Sequence, residues 1–269
     1  MDAKNTGIRQ SSKMSLRRKC FLVWNNLVKM EQHETFISAP FGNWVKPIGC
    51  IPVTGTYTLN PRGNRLWRIV KTLRYSWKMN GWVNALGLPN PGFKVGLRQH
   101  KEGEVFSIAE VLKGDFKKMD NEIPKDFNLE LNLSCPSITK RLPWDNIERF
   151  LYGNRKWCIA KVSPLTTPEE LEFLIDKIGF SQIHACNTLP IPKRGGLSGV
   201  SLVPYVNEII SVIKDEWPEV KVIAGGGVKN WHDMYRYLSK GADHVSLGSV
   251  CFNPLALRKI MKGKENDEN

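Results

Sequence analysis

The sequence predicts a single-domain α/β protein, a (β/α)8 TIM barrel, and three observations carry that prediction. Eight short apolar runs of strand length recur between residues 36 and 247, with amphipathic helical patterns between the later ones. Glycine-bearing segments follow strand candidates in the second half, where a barrel's ligand-binding loops emerge. One strand, Phe127-Asn128-Leu129-Glu130-Leu131-Asn132-Leu133, alternates apolar and polar side chains and then runs through Ser134 into Cys135-Pro136. Proline has no amide hydrogen to continue a ladder, so an asparagine and a thiol arrive together at the carboxyl end of a strand. In parallel α/β folds, ligands and chemistry collect at that end.

Taken in order, the strand candidates are Phe36–Ala39, Ile51–Thr54, Val105–Ala109, Asn128–Ser134, Cys158–Val162, Gln182–Cys186, Lys221–Ala224 and His244–Leu247. About ten residues separate the first two, near the lower limit for a parallel crossover, so the first helix is expected to shrink to a loop. Thr167 reads as a helix cap ahead of Pro168-Glu169-Glu170, with Leu171, Leu174, Ile175 and Ile178 as the buried stripe. Val206, Ile209, Ile210 and Ile213 repeat that stripe, as do Met234, Tyr237 and Leu238 after Asn230. The barrel is expected over 31–262, preceded by a basic extension over 1–30 and followed by a disordered tail over 263–269.

Composition bounds the function. A hydrophobic content of 41% supports a sizeable core, and the six cysteines are scattered with no close pair. That spacing argues against a zinc site, an iron–sulfur ligand run or a disulfide framework, and for reduced thiols in a cytoplasmic setting. No apolar run approaches the roughly 20 residues that span a bilayer. The formal charge is +13, unevenly placed: no acidic residue lies between Glu34 and Glu102, while ten Lys and Arg do. Such a field attracts nucleic acid, an anionic surface or an acidic partner, and it is equally what a solubilising basic surface looks like. Residues 15–29 mix cations with Phe21, Leu22, Trp24, Leu27 and Val28. They read either as an amphipathic helix for peripheral membrane association or as an upstream extension, with Met14 and Met30 as alternative starts.

Three glycine segments follow strands: Arg194–Gly199, Ala224–Val228 and Ser246–Ser249. Glycine lets backbone amides approach an anion, and in barrels a phosphate commonly sits at the loops after strands seven and eight. Lys161 lies in the apolar run Trp157–Val162. Pointed into the barrel mouth, it needs an anionic or carbonyl partner; at a strand end, it reaches solvent. His184 and His244 read as core or rim residues, and no cluster has metal-ligand spacing.

Together these segments resemble the dihydroorotate dehydrogenase family of FMN-dependent barrels. The likeness runs from Phe36 to Ala256 and rests on Asn132-Leu133-Ser134-Cys135-Pro136, Asn187-Thr188, Gly195–Gly199, Gly225-Gly226-Gly227 and Gly248-Ser249. Pro61–Asn64, Asn84–Gly92 and Phe106–Ala109 match further family segments. The resemblance implies FMN held by Thr56, Asn132, Lys161, Cys186, Gly199, Gly226, Gly227, Gly248 and Ser249, with the phosphate on the last four. It implies a pyrimidine substrate on Asn84, Gly87, Leu88, Asn132, Asn187 and Thr188. Cys135 would take the proton from C5 of dihydroorotate while C6 gives hydride to the flavin, yielding orotate for pyrimidine biosynthesis. A cysteine base is the choice of the soluble class 1A-like branch, and a homodimer is left open.

This sequence departs from the family at two positions that bear on the substrate. Gly55 stands where the family carries a lysine for the substrate carboxylate, and Ser137 stands in place of an asparagine. Lys140 and Arg141 are candidate substitutes for the missing cation. The alternatives are a flavoprotein on the same scaffold with a non-carboxylate cyclic substrate, and a redox-inactive basic binding module.

Overall fold

The computed structural model describes residues 33–63, 65–134 and 144–267. The stretch 15–29 and the segment 135–143, with Cys135, Ser137, Lys140 and Arg141, lie outside the described residues. Among the described residues, twelve strands follow one another as β1 Thr35–Ile37, β2 Cys50–Tyr57, β3 Arg74–Ser76, β4 Gly81–Asn84, β5 Val105–Ile108, β6 Asn128–Asn132, β7 Cys158–Lys161, β8 Gln182–Ala185, β9 Leu189–Ile191, β10 Gly195–Gly199, β11 Lys221–Gly225 and β12 His244–Leu247. Eight of them close into a parallel barrel in the order β1-β2-β5-β6-β7-β8-β11-β12. These are the eight expected strands, most trimmed by a residue or two at an end. No helix among the described residues is long and apolar enough to cross a membrane.

Outside the barrel, helices bury the stripes that their spacing announced. Val206, Ile209, Ile210 and Ile213 of helix Val203–Glu216 and Met234, Tyr237 and Leu238 of helix Trp231–Ser239 are all buried against the strands. Thr167 caps its helix in both directions: its side chain accepts from Glu170 N, and the Glu170 side chain accepts from Thr167 N. The helix then widens into π turns over Phe173–Ile178, a change that 3.6-residue periodicity does not foretell. The first crossover is reduced as expected, to a 3-10 turn over Phe41–Asn43.

Inside, the barrel is filled in layers. A lower plug of Phe36, Val53, Val105, Trp157, Ile159 and Ile223 is almost wholly buried, with the Phe36 and Trp157 rings edge to face at 5.0 Å. Above it the inward positions turn polar: Ser107, Glu130, Lys161 and His184, then Thr56 and Asn132. The strand β6 alternation explains this, since Glu130 and Asn132 share the inward face while Leu129 and Leu131 face the helices.

Two expectations need correction. Gly195–Gly199, read as an anion-binding glycine loop, is strand β10 of a second, antiparallel sheet ordered β3-β4-β10-β9. Its glycines serve close backbone packing: a Cβ on Gly195 would collide with the Asn84 carbonyl, and one on Gly199 would stand 2.8 Å from the Asn80 carbonyl. The tail expected over 263–269 is instead helical to Asp267, continuing the helix Pro254–Asp267 whose Leu257 and Ile260 are buried.

Candidate active site

A cavity of about 730 Å³ opens at the carboxyl ends of the barrel strands. Each cofactor and substrate position expected from the sequence lines it: Thr56, Asn84, Gly87, Leu88, Asn132, Lys161, Cys186, Asn187, Thr188, Gly199, Gly226, Gly227, Gly248 and Ser249. Such a volume suits a cofactor-sized ligand.

Each wall is built by a different element. Gly226 and Gly227 leave β11 with φ of 117° and 73°, which only glycine adopts freely, and the Tyr237 hydroxyl donates to the Gly226 carbonyl at 2.6 Å. Gly248 and Ser249 follow β12, the strand paired with β11, so the two turns are neighbours on one rim. On the opposite side, Asn84 ends β4 and leads into a loop clasped by two arginines. Arg62 Nε donates to the Gly87 carbonyl at 2.8 Å and Arg68 Nη1 to the Leu86 carbonyl at 2.9 Å. Asn90 completes the clasp by accepting from the amides of Thr58 and Gly92.

Between these walls runs a hydrogen-bonded chain whose donors all point the same way. The Thr188 amide donates to Asn187 Oδ1 at 2.9 Å, Asn187 Nδ2 to Asn132 Oδ1 at 2.8 Å, and Asn132 Nδ2 to Thr56 Oγ1 at 3.3 Å. The Thr56 hydroxyl meets Ser107 Oγ at 2.9 Å, and the Ser107 hydroxyl donates to Glu130 Oε1 at 2.9 Å. Because Ser107 spends its only proton on the carboxylate, Thr56 is the donor to Ser107. The chain ends on a carboxylate, the acceptor-only group that fixes its polarity.

Glu130 is fully buried and balances Lys161, whose Nζ stands 3.6 Å away and whose side chain is itself buried. Burial opposes its ionisation, but Lys161, His184 and Ser107 outweigh burial and hold its carboxyl at about 2. His184 Nδ1 lies 2.7 Å from Glu130 Oε2. Burial, with Lys161 adding to it, lowers the imidazole below its ordinary value, so the neutral ring donates Nδ1–H to Glu130. The Cys186 thiol is raised by burial and stays protonated. Lys161 therefore points inward and has an anionic partner, His184 is a core residue as its sequence position suggested, and Glu130 and Ser107 are buried residues behind the site that the sequence did not single out. The β6 alternation alone put Glu130 on the same face as Asn132; the pairing of Asn132 with Lys161 that brings Glu130 to the lysine is seen only in the fold.

Gly55 is held by the short first crossover. Asn43 accepts from the Gly55 amide at 3.0 Å and donates to its carbonyl at 2.9 Å. A Cβ at Gly55, whose φ is 102°, would stand 2.5 Å from the Ser107 carbonyl oxygen.

The glycine turns, the buried cation and the amide-lined shelf fit a phosphate-bearing, planar cofactor with a small polar ligand beside it. No family model matches the chain. The dihydroorotate dehydrogenase B (NAD(+)) catalytic subunit of Thermotoga maritima is 31% identical, over 83% of this chain and 92% of the relative. Its counterpart from Endomicrobium trichonymphae is 27% identical, with 89% of each chain covered. Among solved structures, DHODH from Eimeria tenella in complex with ferulenol superposes with a TM-score of 0.65 at 17% identity, over 87% of this chain and 83% of that one, a likeness of fold.

Proposed function

Since this chain belongs to the dihydroorotate dehydrogenase family, we propose that it is an FMN-dependent oxidoreductase acting on a CH–CH bond, converting dihydroorotate to orotate. The observation that carries this reading is the single cavity in which the glycine turns, the Glu130-balanced Lys161 and the asparagine shelf meet. FMN, when bound, supplies the acceptor for the hydrogen and electron pair that leave C6. The amides of Gly226, Gly227, Gly248 and Ser249 would take its phosphate, with Thr56, Cys186 and Gly199 lining its bed.

The chain's own residues do the rest. Lys161 stands at the cavity wall, paired with Glu130, which does not itself line the cavity, so the ammonium would offset negative charge developing opposite it. Asn84, Asn132, Asn187 and Thr188 present amide and hydroxyl groups that match the alternating carbonyls and N–H groups of a pyrimidine ring. Their hydrogen bonds to one another set which amide atoms remain for the ligand. Cys135 follows Ser134, whose hydroxyl donates to the Lys161 carbonyl at 3.3 Å. As thiolate it removes the C5 proton and becomes the thiol, while the C5–C6 bond becomes double.

A second reading, a cyclic substrate without a carboxylate, is favoured by one observation: Gly55, at the family's lysine position, has no room for a side chain. Titration of the purified yellow protein with orotate separates the two, since a carboxylate-free site leaves the flavin spectrum unchanged at millimolar ligand. For the base, Cys135→Ala should keep FMN yet slow bleaching of the flavin by dihydroorotate by about 10²–10⁴-fold. Bleaching at the parent rate in that variant would refute the assignment.

A further inference from the structure

We propose that the segment Arg65–Lys78, at the rim of the cavity, docks this protein onto an anionic membrane surface. Helix Arg65–Thr72 is amphipathic, but its apolar stripe is only half used by the protein. Ile69 and Leu73 line the cavity, whereas Leu66, Trp67 and Val70 stand 79%, 63% and 66% exposed. Trp77, just beyond β3, is 87% exposed. Apolar side chains clustered this way on one segment are unusual on a solvated surface and mark a contact surface.

Charge decides which partner it fits. Lys71, Arg74 and Lys78 are exposed among these apolar groups, and Lys71 Nζ lies 5.7 Å from the centre of the Trp67 ring. No acidic residue occurs in the chain between Glu34 and Glu102, so the segment has no carboxylate of its own. A second copy presenting the same face would set these cations against themselves. Nucleic acid would answer the cations but leave Leu66 and Val70 in water. A lipid interface answers both: Leu, Val and Trp enter the boundary between headgroups and acyl chains, while Lys and Arg stay at the anionic headgroups. The same helix that would rest on the bilayer lines the cavity through Ile69 and Leu73, so the cavity mouth would lie beside the lipid.

The test is sedimentation of the full chain with phosphatidylcholine vesicles, with and without phosphatidylglycerol. Binding is expected only with the anionic lipid and should fall steeply with salt. Replacing Lys71, Arg74 or Lys78 by Ala should each weaken it by about fivefold. The triple variant Leu66→Ser, Trp67→Ser, Trp77→Ser should weaken it by tenfold or more while leaving the thermal transition in place, because these side chains are exposed. Equal binding to both vesicle types would overturn the proposal. So would undiminished binding by the triple variant, which would move the contact to another part of the chain such as residues 15–29. Tight binding to duplex RNA that depends on the cations and ignores the triple variant would assign the face to nucleic acid instead.

Discussion

The lower and upper halves of the barrel interior are built from the same strands and follow opposite rules. Below, Phe36, Val53, Val105, Trp157, Ile159 and Ile223 interlock without a polar atom among their side chains, apart from the Trp157 indole nitrogen. Above, Ser107, Glu130, Lys161 and His184 fill equally buried positions with two charges and two neutral polar groups. An apolar filling would have been the stable choice in both places, since a buried ion pair seldom exceeds well-packed hydrophobic residues in stability. The upper layer is therefore explained by what it holds at the cavity wall, a charged lysine and an oriented row of amides. Stability and chemistry are separated by a few residues along each strand.

That contrast can be broken from either side. The largest effect expected is in the plug: Trp157→Ala should cost about 3–5 kcal/mol in urea unfolding, with flavin affinity of the folded protein little changed. Loss of flavin at unchanged stability would put the plug in the site and erase the distinction. Glu130→Ala should be of similar size, about 3–5 kcal/mol, because it strands Lys161 in the interior. The sharper experiment is the pair Glu130→Gln with Lys161→Met, which should recover most of that stability while flavin retention stays impaired. Full recovery of both would make the upper layer merely structural.

The smallest expected effect is in the pH dependence, and its sign follows from the shifts. His184 is lowered by burial, and His244 is lowered to about 4 for the same reason. Each takes a proton more readily unfolded than folded, so stability present above about 6.5 is lost as pH falls below it. Glu130, lowered to about 2, adds stability that is complete above its unfolded value and lost as pH falls toward 2. Thermal transitions should thus decline in two acid stages, and Glu130→Gln should remove the lower one only. A lower stage that persists in that variant would detach it from Glu130.

Much of this was legible in the residues, and the omissions have physical causes. The barrel strands announced themselves because each is an apolar run bounded by turn residues, and Thr167-Pro168-Glu169-Glu170 carried its cap in its side chains. The second sheet did not, because Gly195-Gly196-Leu197-Ser198-Gly199 is chosen for backbone clearance and carries almost no strand propensity. Lys161 could be singled out as a lysine in need of a partner, but Glu130 could not be assigned to it. That pairing depends on the register of β6 on β7, which no local pattern prints.

Gly55 shows how a neighbouring loop can fix a residue type. Its amide and carbonyl are both engaged by Asn43, its φ lies where L side chains are strained, and the Ser107 carbonyl occupies the space a Cβ would need. A lysine codon introduced there would meet a backbone that has already closed over the position. Any side chain at this position would require the crossover that carries Asn43 to be rebuilt first.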